Sequence, residues 1–155
     1  MNTNKQTVPF VWQQPAWQQL TTQMQTQRLA HAYLIQGPEG VGKQAFAHSF
    51  AKQLLCLQPI SDHACGHCKS CQLITSQSHP DLYVIKPEQD SQQIKVSEIR
   101  QLTPIIHQTP LYQYRVIILS LAEQLNTAAA NALLKNLEEP SPQTLFLLIS
   151  HQSHL

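Results

Sequence analysis

The chain has little charge for its length. Asp, Glu, Lys and Arg make up only 12% of its 155 residues, and they nearly cancel to a formal net charge of +1. Neutral polar residues such as Gln, Ser, Thr and Asn supply much of the polar surface instead. A protein that binds duplex DNA through charge alone needs a strongly basic surface, because phosphate contacts dominate that affinity. The composition therefore argues against this class of DNA-binding protein.

Long apolar segments are also absent. No part of the chain approaches the roughly 18–20 apolar residues that cross a membrane, and residues 1–9 lack the apolar core of a secretory signal. We therefore expect no membrane association and a cytoplasmic location. Because that compartment is reducing, the cysteines are expected to be metal ligands or free thiols rather than disulfides.

Short apolar segments alternate with helical patterns along the chain. Strands are predicted at 30–36, 81–85, 115–120 and 144–150, and helices at 15–27, 43–57, 69–77, 95–108 and 127–139. Pro104 is expected to kink or split the fourth of these helices, because proline removes a backbone hydrogen bond. Strands that alternate with helices predict an α/β fold with a parallel sheet and right-handed crossovers.

A glycine-rich segment lies between the first predicted strand and the next helix. Gly37, four further residues and then Gly42 and Lys43 match the P-loop pattern in the context that its mechanism requires. Backbone N–H groups of such a loop surround phosphate oxygens, and the helix N-terminus adds its positive dipole end. The candidate nucleotide-binding residues are Gly37, Gly40, Gly42, Lys43 and Gln44.

Two positions depart from a working ATPase. Gln44 stands where the P-loop pattern has a Ser or Thr hydroxyl for Mg²⁺. The strand at 115–120 ends in Ser120 and Leu121, where P-loop ATPases carry an acidic magnesium ligand. The nearest carboxylate, Glu123, is at least one turn further on. We expect little or no ATP hydrolysis by this chain alone. Whether ATP and Mg²⁺ bind stays open between a loop able, or ancestrally able, to bind nucleotide and a loop that binds none.

All four cysteines of the chain lie close together in sequence. Cys56, Cys65, Cys68 and Cys71 follow the spacing C-x8-C-x2-C-x2-C. Two-residue spacings let a turn direct successive thiolates at one ion, and four thiolates complete a tetrahedral zinc shell with no position for water. The cluster predicts one structural Zn²⁺. The alternatives are His63 or His67 in place of one cysteine, a redox dithiol, free thiols or an iron–sulfur cluster.

Several segments resemble, in their order and spacing, the clamp-loader subunits of bacterial DNA polymerase III, members of the AAA+ ATPase superfamily. They are AHAYLIQGPEGVGK, the cluster LLC…CGHCKSCQL, SHPDLYVIKPE, and AAANALLKNLEEP followed by TLFLLIS. The resemblance covers residues 17–155. It implies a RecA-like P-loop domain, a parallel sheet flanked by helices, with an inserted zinc-binding module at about 56–76. Residues 1–12 are then a flexible tail, and 13–155 an AAA+ base domain without its helical lid and collar.

Within that family, the motor subunits (gamma and tau) have Thr after the P-loop Lys and an Asp-Glu pair after the apolar strand. Gln44 and Ser120 at those places make the chain similar to the delta-prime group. That resemblance implies a largely non-hydrolysing subunit that helps to open a sliding clamp and load it onto primed DNA. The implied partners are the gamma/tau and delta subunits, with the clamp and DNA contacted through the complex. An active ATPase motor that uses Gln44 and Glu123, and a zinc-knuckle nucleic-acid binder, are the alternatives.

Overall fold

The computed structural model of the chain describes residues 9–152. The strands are β1 (Ala32–Gln36), β2 (Leu82–Ile85), β3 (Arg115–Leu119) and β4 (Thr144–Ser150). The α-helices are α1 (Gln14–Gln25), α2 (Lys43–Leu55), α3 (Lys69–Thr75), α4 (Val96–Arg100), α5 (Leu102–Ile106) and α6 (Thr127–Glu138). Short 3-10 helices cover Val11–Gln13 and Ala122–Gln124. Each strand and helix predicted from the sequence is confirmed within a few residues.

The strands form one sheet in the order β1, β4, β3, β2, and every neighbouring pair is parallel. Central strands of a parallel sheet are covered on both faces and are therefore apolar along their whole length. All five residues of β3 are buried, which agrees with the continuous apolar run at 116–119 and includes the charged Arg115. The predicted α/β fold with a parallel sheet flanked by helices is confirmed.

Alternate residues of β3 enter two separate cores, because successive side chains of a strand point to opposite faces. Val116 and Ile118 pack with α1 and α2, where Trp17 makes edge-to-face contacts with Phe46 and Phe50 at centroid distances of 5.6 and 6.0 Å. The other face packs with α4, α5 and α6. Trp17, 2% exposed, is thereby part of this core.

The helix predicted over 95–108 is split in two. α4 ends at Arg100 and α5 begins at Leu102, with Gln101 between them. Pro104 has no N–H to donate to the carbonyl of Arg100, so the interruption lies one helical turn before the proline, as its chemistry requires. The split shortens the segment and lets both halves pack their apolar side chains on the sheet.

Parallel strands place their carboxyl ends at one edge of the sheet, and binding sites of α/β proteins lie at that edge. Here this edge collects the loop after β1, the 3-10 helix after β3 and the residues after β4. Within residues 9–152, no helix combines the length and apolarity that a bilayer crossing requires.

Candidate functional site

The predicted P-loop connects the end of β1 to the start of α2, as its pattern requires. Gly42 is the residue that caps α2, and its φ of 87° lies in the left-handed region. A Cβ atom at this position would collide with the ring of Phe10. Glycine is therefore required at Gly42 by both the backbone conformation and the close approach of another side chain.

Lys43 is turned into its own loop. Its side chain donates hydrogen bonds to the carbonyl oxygens of Gly37 and Pro38, the latter at 2.7 Å, and the residue is only 5% exposed. Burial lowers the pKa of Lys43, while the negative charges of Glu123 and Glu39 act in the opposite direction. The ammonium group that would contact a phosphate is thus already hydrogen-bonded to carbonyl groups of the loop.

Gln44 bonds to both of its polar neighbours. The Ser120 hydroxyl donates to Gln44 Oε1 at 3.0 Å, and Gln44 Nε2 donates to His48 Nε2 at 3.0 Å. His48 must therefore be neutral, with its proton on Nδ1. Burial and, to a smaller extent, the charge of Lys86 lower the pKa of His48, which favours this neutral form. The two positions where an ATPase would hold magnesium are joined to each other.

Glu123 follows the end of β3 and acts on the P-loop lysine through its charge. It belongs to the 3-10 helix after β3, and its Oε1 accepts a hydrogen bond from the backbone N–H of His151 at 3.2 Å. Burial raises the pKa of Glu123, but N–H donors of Glu123 and His151 and the Ser150 side chain outweigh that effect and lower it. A negative charge therefore acts on Lys43 from outside the loop.

A cavity of about 1170 Å³ opens at this edge of the sheet. It is bounded by the P-loop, by the segment that follows β2 and by the residues that follow β3 and β4. Gly40, Gly42, Lys43 and Gln44 line it together with Ser120. Gly37 takes part through its carbonyl bond to Lys43. Four of the five predicted loop residues thus line one cavity, and Gly37 is connected to it through Lys43.

The segment before α1 packs against the loop, at the end of the predicted flexible tail. Trp12 Nε1 donates to the carbonyl of Val41 at 2.9 Å, and Gln13 Nε2 donates to the carbonyls of Val41 and Gly42, both at 3.1 Å. The Phe10 ring covers Gly42 and stacks on Trp12 at 5.0 Å. The sequence did not indicate these contacts, and residues 1–8 of the tail lie outside the described part.

The four cysteines converge between α2 and α3. Cys56 caps the C-terminus of α2, Cys65 lies in the following loop, Cys68 caps the N-terminus of α3 and Cys71 lies in its first turn. Their sulfur atoms all lie within 4.8 Å of one another, with 3.9 Å between Cys56 and Cys68 and 4.0 Å between Cys65 and Cys71. This group could hold one metal ion.

Backbone N–H groups point at the sulfur atoms. Cys65 N–H donates to the sulfur of Cys56 at 3.3 Å, Cys68 N–H to that of Cys65 at 3.3 Å and Cys71 N–H to that of Cys68 at 3.4 Å. Burial raises the pKa of the Cys68 thiol, but the N–H groups of Cys71 and Leu57 lower it to about 6. Such donors stabilise thiolates, the form of cysteine that binds metals.

Both nearby histidines lie outside the sulfur cluster. The His63 ring packs on Trp17 with 5.6 Å between centroids, and His67 Nδ1 lies 3.1 Å from the carbonyl oxygen of Cys65. Among residues 9–152, the group with metal-binding geometry contains the four cysteines and neither histidine. The geometry therefore favours a four-sulfur ligand set over one in which a histidine replaces a cysteine.

Known proteins resemble the chain over nearly its whole length. The family described as "DNA polymerase III, delta subunit" matches residues 12–155. "DNA polymerase III subunit delta'" of Pseudomonas aeruginosa is 49% identical over 144 residues, which are 92% of this chain and 43% of that protein. The protein of the same name from Escherichia coli is 37% identical over 144 residues, again 92% of this chain and 43% of the relative.

The fold has a solved counterpart. A DNA polymerase III gamma subunit-related protein of Thermotoga maritima superposes with a TM-score of 0.57 and 22% identity, over 85% of this chain and 39% of that one. This likeness supports the fold alone. The chain spans less than half the length of the curated relatives that it matches.

Proposed function

The chain belongs to the delta-prime family of bacterial DNA polymerase III subunits, and from this membership we propose that it serves DNA replication as a largely non-hydrolysing AAA+ subunit of the clamp loader. The described residues correspond to the P-loop base domain of such a subunit. The chain spans 43% of the length of these two relatives, so the activity of a whole subunit is part of this proposal. We expect no polymerase active site among the described residues, 9–152.

The observation that carries the proposal is the hydrogen bond between Ser120 and Gln44. A hydrolysing P-loop subunit coordinates Mg²⁺ with a hydroxyl after the loop Lys and a carboxylate after the apolar strand. In this chain the two positions hold neutral side chains that bond to each other at 3.0 Å. Neither can supply the negative charge that a divalent cation requires, so magnesium-dependent hydrolysis by this chain is disfavoured.

The nucleotide site is proposed to be vestigial. Its residues are Gly37, Gly40, Gly42, Lys43 and Gln44. They would bind ATP with Mg²⁺ only weakly. A phosphate would have to displace the Gly37 and Pro38 carbonyls from Lys43. It would also approach the charge of Glu123, which opposes an anion at the same place. Both effects lower nucleotide affinity.

The metal is proposed to be a structural zinc ion held by Cys56, Cys65, Cys68 and Cys71. Tetrahedral zinc with Zn–S bonds of about 2.3 Å separates its sulfur atoms by about 3.8 Å. The distances of 3.9 and 4.0 Å between two pairs of sulfur atoms fit this requirement closely. Four protein ligands leave no coordination position for water, so the ion would stabilise the loop rather than catalyse a reaction.

The proposed partners follow from family membership. They are the motor subunits (gamma or tau) and the delta subunit, with the sliding clamp and primed DNA contacted in the assembled loader. Assembly would take place in the cytoplasm. The domain's own near-neutral charge of +1 suits a subunit that acts through protein contacts rather than one that binds DNA by itself.

Reconstitution with the full-length protein tests this function. Clamp loading onto primed DNA is measured with motor subunits, delta and clamp, in the presence and absence of this protein. Loading should require the protein, and the protein alone should not hydrolyse ATP. Turnover that disappears in Lys43→Ala would instead support the motor alternative. Salt-dependent DNA binding by the protein alone that is lost in Cys68→Ser would support the zinc-knuckle alternative.

A further inference from the structure

Helix α3 carries two of the four cysteines but is too short to be stable alone. It has only seven residues, Lys69–Thr75, and isolated helices below about 12 residues are marginal in water. Cys68 caps this helix and Cys71 belongs to its first turn, so the orientation of α3 decides where half of the sulfur atoms lie. Ser70, between them, points away from the sulfur cluster and is fully buried.

A buried hydrogen bond connects α3 to the entrance of β2. Ser70 Oγ lies 2.9 Å from His79 Nε2, and His79 is only 6% exposed. His79 Nδ1 accepts a hydrogen bond from the backbone N–H of Asp81 at 3.0 Å. The ring therefore carries its proton on Nε2 and donates it to the Ser70 oxygen. Burial lowers the pKa of His79, although the charge of Asp81 acts in the opposite direction. The lowered pKa favours this neutral tautomer.

The same histidine is held from the side of the sheet. Its ring packs on Tyr112 with 4.5 Å between centroids, and the Asp81 carboxylate accepts a hydrogen bond from the Tyr112 N–H at 2.6 Å. The Asp81 carbonyl accepts the N–H of Val116 at 2.8 Å. His79 thus stands between the ligand-bearing helix and the central strand β3, and its position is fixed independently of any metal.

Ser70, His79 and Asp81 are residue types that also form hydrolytic triads, but their geometry here is different. In a triad the histidine accepts the serine proton at Nε2 and a carboxylate binds Nδ1. Here Nε2 donates, a backbone N–H occupies Nδ1, and the Ser70 side chain has no access to solvent. The arrangement suits a tether and not a nucleophile.

We propose that Ser70 and His79 are positioning residues of the metal site, which hold Cys68 and Cys71 in the binding geometry by fixing α3 to β2. Groups behind the ligands of a metal site orient them, and their loss typically weakens metal binding by about 10–100-fold. The inference rests on the proposed zinc site and not on the clamp-loader role. By reciprocity, metal binding would also stabilise the β2 edge of the sheet.

An isosteric pair isolates the hydroxyl group. Ser70→Thr and Ser70→Val add nearly the same volume at this buried position, but only Thr can bond to His79. Zinc affinity of the full-length protein is measured by competition with a chromophoric chelator, with circular dichroism to verify that each variant is folded. The Val variant should bind zinc about tenfold more weakly than the Thr variant. Ser76→Ala, which removes an exposed hydroxyl at the end of the same helix, should leave the affinity unchanged.

A second background tests the coupling. His79→Phe keeps an aromatic ring beside Tyr112 but removes the Nε2–H donor. In this background the difference between the Thr and Val variants should disappear, because the hydroxyl at position 70 has no donor to accept from. Equal zinc affinity of the Thr and Val variants, or a difference that survives in His79→Phe, would overturn the inference while leaving the zinc site intact. A wild-type protein that binds no zinc would overturn both.

Discussion

Ser120 donates its hydroxyl hydrogen to Oε1 of Gln44 at 3.0 Å, across a separation of 76 residues. The bond joins the end of β3 to the first turn of α2, beside the cavity at the carboxyl edge of the sheet. The Ser120 hydroxyl and the Gln44 amide oxygen satisfy each other's hydrogen-bonding capacity. Their bond therefore stabilises the place where a hydrolysing subunit has magnesium ligands. The two positions that carry magnesium ligands in a hydrolysing P-loop subunit are thus joined by a structural contact in this chain.

Restoring the two magnesium ligands should restore nucleotide binding. In Gln44→Thr/Ser120→Asp, a hydroxyl and a carboxylate face the cavity, and Mg²⁺-dependent ATP affinity should rise at least about tenfold, or about 1.4 kcal/mol. Isothermal titration calorimetry with Mg²⁺ and with EDTA measures the change. Adding Lys43→Ala should abolish the gain. Unchanged affinity in the double variant would show that the loop shape, and not these two residues, prevents binding.

Gly42→Ala should destabilise the fold more than Gly40→Ala. Both glycines have left-handed φ angles, 87° and 88°, so a Cβ costs each about 1 kcal/mol or more in backbone strain. Only at Gly42 does the new atom meet the Phe10 ring, whereas nothing lies within 4 Å at Gly40. Urea denaturation should give a larger loss for Gly42→Ala by about 1–3 kcal/mol.

The contact with Phe10 can be removed separately. In the Phe10→Ala background, the difference between Gly42→Ala and Gly40→Ala should shrink, because the collision is absent and only the common strain remains. A difference that stays the same in that background would mean that the segment before α1 does not constrain the loop. With Phe10 present, a change in tryptophan fluorescence in Gly42→Ala but not in Gly40→Ala would report a displacement of Trp12, which stacks on Phe10 and bonds to Val41.

Local patterns predicted the fold and the chemistry-bearing residues, but not the contacts between them. Strand and helix periodicity and the spacing of Cys56 to Cys71 depend on neighbours in sequence, and both predictions agree with the structure. The packing of Trp12 on Val41 joins residues 29 positions apart, and no local pattern encodes it. The sequence places Glu123 at least one turn beyond the end of the strand, and residue counting does not show that its charge acts on Lys43.

His79 illustrates the same limit from another side. The segment His79-Pro80-Asp81 reads as a simple turn into a strand, and it does form the connection to β2. The side chains of His79 and Asp81 are nevertheless buried, and His79 bonds to Ser70 on a different element. Whether a turn residue is exposed depends on what packs over it, and in this protein the cysteine-bearing helix does so.

His48 should make the fold less stable in mild acid. Its pKa in the folded protein lies below the ordinary 6.5 because of burial and Lys86, and protonation removes the acceptor for Gln44 Nε2. The unfolded chain therefore binds the proton first, and stability present above pH 6.5 is lost as the pH falls toward the lower folded value. Urea unfolding of the wild type and of His48→Gln at pH 7.5 and 5.5 measures this contribution.

Gln at position 48 keeps a hydrogen-bond acceptor and does not titrate. The effects of all other acid-sensitive groups on the free energy of unfolding, those of the thiolates included, are common to both proteins and cancel in the comparison. The stability of the wild type relative to His48→Gln should decrease between pH 7.5 and 5.5. A relative stability that is constant or increases over this range would contradict a lowered pKa of His48 and the neutral tautomer that its bond to Gln44 requires.

Cys68→Ser should abolish stoichiometric zinc binding, whereas His67→Ala should not. The Cys68 sulfur lies 3.9 Å from that of Cys56, while the neighbouring His67 ring faces the Cys65 carbonyl instead of the sulfur cluster. Zinc released by denaturation is quantified with a chromophoric chelator. Because metal held at about 100 times its Kd adds about 2.7 kcal/mol to stability, Cys68→Ser should resemble the EDTA-treated wild type in urea unfolding. Zinc loss in His67→Ala as well would mean that the histidine, and not four cysteines alone, completes the ligand set.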